Sequence, residues 1–325
     1  MLRLSAPLPH PLPPPAASPV LPLRGAGVPL RVDLDGEVHG VDYGGSGPTL
    51  LLLHGLGGSH LNWLPAAPLL AAHGRVLAVD LLGFGRTPHA GRGVGVRAQQ
   101  ALVHRFITEV VKEPVVLVGN SFGGLVALAQ AAEAPETVSG LVLVSPAQRP
   151  APGTRLGPVQ LLRLLLHTLP GLGEYLLWRD GRRGGARKLF LDVLTLGCAD
   201  VARVPADVVE QNVALIAERM ARMPLGHAAS YLQATRSLLL TLLHRQRFED
   251  WVQDVCAPTL LVHGQEDRLV PLAFSQELAR QRPDWHFRAL AGVGHVPQME
   301  DAERFVGQLA AWLPGSRRPA SAATA

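Results

Sequence analysis

Ser121 sits at the centre of Gly119-Asn120-Ser121-Phe122-Gly123, after the apolar run Val115-Val116-Leu117-Val118 and before a helix-forming run that starts at Leu125. A strand that turns tightly into a helix forces the residue at the tip into a strained backbone. Small residues two positions either side let such a turn close. The tip serine also lies at the positive end of the helix, where N–H groups lack intrahelical partners. A serine hydroxyl is a weak nucleophile. It needs an imidazole to take its proton, a carboxylate to orient that imidazole, and N–H donors for the developing oxyanion. Asp267, in the run that follows Leu260-Leu261-Val262, supplies a carboxylate, and His295, in Gly292-Val293-Gly294-His295-Val296-Pro297, supplies the imidazole. Glu266 is the neighbouring alternative acid, and the other position where an acid can sit reads Ser145-Pro146-Ala147. The loop His54-Gly55-Leu56-Gly57-Gly58 can aim the Leu56 N–H at a substrate oxygen, with Phe122 N–H as second donor. His54 is expected to brace that loop, and Gly55, Gly119 and Gly123 to support the site.

The elements that must position these residues follow from periodicity. Residues 28–34 and 37–43 flank Asp35-Gly36, the pattern of a two-residue hairpin turn. Continuous apolar runs at 49–53, 76–79, 115–118, 141–144 and 259–262 fit strands covered on both faces of a parallel sheet, with a last strand near 285–290. Helical patterns at 61–72, 99–111, 125–134, 272–281 and 300–313 provide the crossovers that a parallel sheet requires. From 146 to 255 the rhythm breaks into leucine-rich amphipathic stretches near 159–167, 185–196, 206–222 and 231–247. This interval reads as a helical insertion between two core strands.

Five landmarks in order, His54-Gly55, Gly83-Phe84-Gly85-Arg86 after Asp80, the Gly119 to Gly123 turn, Asp267-Arg268-Leu269-Val270-Pro271 and Gly294-His295, give the chain a resemblance to the α/β-hydrolase fold superfamily. The resemblance implies an α/β fold with a mostly parallel central sheet flanked by helices and an inserted helical cap. Its divisions would be a proline-rich leader at 1–26, a core at 27–146 and 256–315, a cap at 147–255 and a tail at 316–325. It implies a serine carboxylic-ester hydrolase acting on small, largely apolar substrates through an acyl-enzyme, with no cofactor and no metal. Epoxide hydrolases and haloalkane dehalogenases of this superfamily carry an aspartate at the turn, so Ser121 argues against both. Carbon–carbon hydrolases of ring-cleavage products share the Asn120 and Gly124 pattern, but Val296 and Leu56-Gly57-Gly58 depart from theirs. That reading is the runner-up, beside acyl transfer or perhydrolysis through the same intermediate. A non-catalytic ligand receptor on the same fold is the reading from a different class.

Composition narrows the rest. With 325 residues, 47% hydrophobic and 17% charged, the chain has the makings of a folded protein with a sizeable core. A net charge of +4, with no basic stripe interleaved with aromatics, speaks against nucleic acid as a partner. The basic cluster Arg179, Arg182, Arg183, Arg187 and Lys188 reads as a solvated face. Cys198 and Cys256 are too few for a disulfide framework and are expected to be buried, inert thiols. The prolines before residue 23 interrupt any signal-peptide core, and Arg163, His167, Pro170, Gly171 and Glu174 interrupt the longest apolar stretch. A cytoplasmic protein without a transmembrane span is the expectation. Oligomeric state has no signal in the sequence.

Overall fold

The structure is a computed structural model that describes residues 27–149 and 169–313. Eight strands form one sheet: β1 (Val28–Asp33), β2 (Glu37–Gly44), β3 (Thr49–Leu53), β4 (Arg75–Val79), β5 (Val115–Asn120), β6 (Val138–Val144), β7 (Thr259–Gly264) and β8 (His286–Leu290). Their spatial order is β1-β2-β4-β3-β5-β6-β7-β8. The first hairpin and the β2–β4 pair are antiparallel, and every later pair is parallel. The sheet is thus the mostly parallel one expected for an α/β-hydrolase fold.

Alternate side chains of a strand point to opposite faces, so each continuous apolar run feeds two cores. Leu51, Leu53, Leu117, Leu143 and Leu261 join one layer with Phe122, Leu125 and Val126 of the helix Phe122–Glu133. Leu50, Leu52, Val116, Val118, Val142, Val144, Leu260 and Val262 join the other, against Trp63, Phe305 and Leu309. Each such fully buried side chain contributes about 1.5–3 kcal/mol relative to exposure. The central strands are therefore fixed in register and carry the loops at their carboxyl ends as rigid mounts.

Several expectations change in detail. Asp33 pairs with Glu37, so the first hairpin loop holds three residues, Leu34, Asp35 and Gly36, where two were expected. Its positive φ values at Asp35 and Gly36 are those the dipeptide tolerates. The single helix expected at 61–72 is a 3₁₀ turn, His60–Trp63, and a short helix, Ala67–Leu70. Pro65 and Pro68 offer no N–H to an unbroken helix. The helix Val96–Arg105 starts earlier than expected and runs on as a π-turn, Phe106–Val111, closed by Lys112 at φ 63°. Between β6 and β7 lie the helices Leu172–Gly197, Ala206–Arg222, Pro224–Leu243 and Arg245–Asp254. The first bends at Gly185 (φ 70°, ψ 173°), and the pattern expected at 231–247 divides at His244. The helix expected near 159–167, the leader at 1–26 and the tail at 316–325 lie outside the described residues.

Cys198 is buried, with burial first and then Glu300 and Asp200 raising its thiol to about 12, but Cys256 is exposed, against expectation. Cys256 follows the last helix of the insertion, in the connection into β7, where packing does not cover it. Arg187 pairs with Glu210, Lys188 with Asp192 and Arg179 with Asp180, all exposed, so these members of the basic cluster form a solvated face. No helix among the described residues is long and apolar enough to cross a membrane.

Candidate active site

Ser121 follows β5 directly and precedes the first residue of the helix Phe122–Glu133, with φ 53° and ψ −116°. A non-glycine residue there carries strain of about 1–3 kcal/mol and persists only where its surroundings hold it. They do so here: Ser121 N–H donates to Val144 O at 3.0 Å, while Ser121 O accepts from Leu125 N–H and Ala147 N–H. A serine at this position commonly caps the helix with its side chain, but the Ser121 hydroxyl makes no cap bond and stays available. The flanking glycines are needed for close approach. A Cβ on Gly123 would meet Leu53 O at 2.6 Å, and one on Gly119 would collide with Gly123 O.

The neighbouring side chain joins this turn to the histidine loop. Asn120 Nδ2 donates to Val144 O at 3.0 Å and to His295 O at 3.1 Å, from a buried position. His295 Nδ1 in turn meets Asp267 Oδ2 at 2.7 Å, which leaves Nε2 as the ring atom able to accept a proton. Asp267 Oδ1 accepts the N–H groups of Leu269 (2.8 Å) and Val270 (2.9 Å), and His263 Nε2 lies 3.1 Å from Oδ2. Burial alone would raise the Asp267 carboxyl. The hydrogen bonds from His263 and His295 outweigh it and hold the group well below the usual carboxylate range. Asp267 and His295 are thus brought together, with Asp267 ionised. Glu266 is exposed and Ser145, buried, has an Oγ without a partner, so neither alternative acid position supplies a carboxylate to His295.

On the opposite side, a Cβ on Gly55 would stand 3.3 Å from Ser121 Cβ, so the 54–58 loop lies against the serine. His54 is fully buried. Its Nε2 accepts Leu81 N–H at 3.0 Å, so its proton is on Nδ1 and donates to Gly55 O at 2.7 Å. Gly55 O also accepts Gly58 N–H at 3.0 Å. In a trans peptide the carbonyl and the following N–H point in opposite directions. Two donors holding Gly55 O therefore fix the aim of the Leu56 N–H. Phe122 N–H, at the first helical position, has no intrahelical acceptor. Burial lowers the His54 imidazole to about 4, with Asp80 and the Gly55 carbonyl opposing, so the ring stays neutral.

Leu56, Gly57 and Gly58 also line the floor of a cavity of about 410 Å³, roofed by side chains of the insertion, including Trp178, Phe190, Leu215, Ile216, Met220 and Tyr231. Arg182 and Arg219 are its charged members. Arg182 lies over the Trp178 ring, and Arg219 donates to the carbonyls of Gly83 and Gly85.

Among the described residues, one group has ligand types close enough to hold a metal ion: His39, His60 and Asp80, with candidate atoms within 4.8 Å of one another. Each Nδ1 faces an Asp80 oxygen, at 2.9 and 3.0 Å, and the same carboxylate accepts N–H from His60 and Arg86. These bonds satisfy the buried carboxylate, so the cluster serves as a brace between β2, the 3₁₀ turn and β4. Asp80 stands among the sequence landmarks, but its two imidazole partners, the joining bond of Asn120 and the side chain of His263 emerge only in the structure. The available signal was a polar residue ending an apolar strand, Asn120 on β5 and His263 on β7.

A model of the alpha/beta hydrolase family matches residues 50–308. The protein provisionally named the carbamate hydrolase RutD of Serratia proteamaculans (strain 568) is 29% identical over 269 residues, 82% of this chain and 91% of that one. The pimeloyl-[acyl-carrier protein] methyl ester esterase of Aromatoleum aromaticum is 30% identical over 267 residues, covering 79% of this chain and 94% of the relative. The 2-hydroxymuconate semialdehyde hydrolase of Pseudomonas sp. (strain CF600) is 30% identical over 281 residues, covering 83% and 88%. Similarity of this even degree is spread over relatives named for three different substrates, so it does not single out one of them. With the strand order, the turn at Ser121 and the matched span all agreeing, the chain belongs to the alpha/beta hydrolase family of hydrolytic enzymes.

Proposed function

We propose that this protein is a serine hydrolase that cleaves carboxylic esters of small, largely apolar substrates through an acyl-enzyme. Ser121 is the nucleophile, His295 the base and Asp267 its orienting carboxylate. One observation carries the reading: the strained, uncapped serine is joined through Asn120 to the loop bearing His295, whose buried ring pairs with Asp267 from the neighbouring loop. Ser121 Oγ attacks the ester carbonyl carbon while His295 Nε2 takes the hydroxyl proton. The oxyanion is received by the N–H groups of Leu56 and Phe122, a role in which each donor stabilises the barrier by about 3–4 kcal/mol. The imidazolium then protonates the departing alkoxide. A water, deprotonated by His295, attacks the acyl-serine and releases the acid, and Ser121 recovers its proton. No step requires a metal or an organic cofactor.

The apolar roof over the Leu56 loop supports an apolar substrate part of modest size. The pattern shared with carbon–carbon hydrolases, Asn120, has a separate explanation in its bonds to Val144 O and His295 O. The test is rapid-mixing kinetics with short-chain p-nitrophenyl esters. A burst of p-nitrophenolate matching the enzyme concentration, lost in Ser121→Ala, is expected. Full turnover by Ser121→Ala overturns the reading, and preferential cleavage of a ring-cleavage dienoate moves it to carbon–carbon hydrolysis.

A further inference from the structure

Behind Asp267, away from His295, a buried polar chain enters the core. His263, Ser275 and Gln148 are all buried, and no part of the mechanism above uses them. His263 Nε2 faces two acceptors, Val270 O at 2.9 Å and Asp267 Oδ2 at 3.1 Å, so it carries a proton. His263 Nδ1 lies 2.8 Å from Ser275 Oγ, and Ser275 Oγ accepts from Gln148 Nε2 at 2.7 Å. In the Nε2–H tautomer, Nδ1 is an acceptor that the Ser275 hydroxyl can serve while its oxygen receives the Gln148 amide.

From this geometry we infer that His263 is a positioning residue for the reaction proposed above. Its Nε2–H shares Asp267 Oδ2 with His295, and Ser275 and Gln148 set its tautomer. The inference rests on that reading of the site. A carboxylate oxygen bonded by His295 alone would concentrate its charge on that imidazole and over-stabilise the protonated form. A second N–H on the same oxygen draws part of this charge away and anchors the carboxylate, which fixes the direction in which Asp267 holds the His295 ring. The titratable groups facing Asp267 are His263 from β7 and His295 from the loop after β8, while Leu269 and Val270 contribute backbone N–H only. On the far side of the histidine loop, Glu300 accepts the N–H groups of Gly294, Ala199 and Asp200, and the Cys198 thiol stays protonated.

The experiment is the pH profile of kcat/KM on a p-nitrophenyl ester for wild type, His263→Leu, His263→Gln and Ser275→Ala, each checked for folding by circular dichroism. In His263→Leu the Asp267 carboxylate becomes more basic, so the acid limb should move up by about half to one pH unit. The plateau should fall about tenfold or more, as expected for loss of a hydrogen bond to a charged group. His263→Gln, whose side-chain amide can still donate, should restore most of the limb, and Ser275→Ala should move it the same way by less. An unmoved acid limb in folded His263→Leu, or equal shifts in the Leu and Gln variants, overturns the inference. Should His263→Leu fail to fold, ¹⁵N NMR of histidine-labelled wild type decides, with the His263 signal assigned by its loss in His263→Gln. That ring should remain neutral and Nε2-protonated while His295 titrates, and an imidazolium or an Nδ1–H tautomer overturns it. Wild type without ester turnover would instead defeat the reading of function, leaving the tautomer measurement intact.

Discussion

Asn120 Nδ2 donates to the carbonyl oxygen of His295 at 3.1 Å, although the two residues are 175 positions apart in the chain. The strained turn and the histidine loop therefore share a buried hydrogen bond, and the position of His295 depends on the residue beside Ser121. Replacing Asn120 by Ala leaves the carbonyls of Val144 and His295 without this donor, at a cost of about 1–3 kcal/mol in stability. A loosened histidine loop should lower kcat by on the order of 100-fold with a smaller change in KM. Steady-state kinetics beside a denaturant titration separate the two effects. Unchanged kcat in folded Asn120→Ala would show that the bond does not position His295.

A second consequence concerns acid stability. His54 in the folded protein titrates at about 4, burial being the main cause, against the ordinary 6.5. Its unfolded form therefore takes up a proton first as pH falls. Stability is undiminished above the ordinary value and declines through the window from 6.5 down to about 4, by up to about 3 kcal/mol in all. Asp80 and Asp267, with lowered pKa values, add their own losses only below the ordinary carboxylate range. Urea titrations from about pH 7 to about pH 4.5 should show this slope in wild type and a flatter one in His54→Gln. Equal slopes would assign the loss to other groups.

The sheet was legible in the sequence because buried parallel strands read as unbroken apolar runs, and Ser121, Asp267 and His295 were legible because they end such strands or follow them in glycine-bearing loops. Helix limits were less so. Pro65 and Pro68 divided one helix that periodicity alone had joined, and the turn after Arg105 widened without a breaker residue. The links between loops were not legible either. Asn120 to His295, Leu81 N–H to His54, and Gln148 to Ser275 to His263 join segments that only the folded sheet brings together. Local propensity carries no signal for such long-range bonds.

The roof of the cavity makes a prediction about chain length. Ile216 lines it and is only partly buried, so a larger side chain fits there without displacing the main core. Ile216→Trp should shift the preferred acyl chain to shorter esters and Ile216→Ala to longer ones, with discrimination of about 10-fold to 200-fold per methylene group. A p-nitrophenyl ester panel from acetate to decanoate measures this. Identical chain-length profiles in both variants would move the acyl group out of this cavity.

Covalent acylation of Ser121 with the help of His295 is read out by a fluorophosphonate probe. Intact-mass and peptide-mapping measurements should find one adduct per chain, located on Ser121, absent in Ser121→Ala and formed far more slowly in His295→Ala. Absence of labelling in folded wild type, or an adduct that persists in Ser121→Ala, would contradict it.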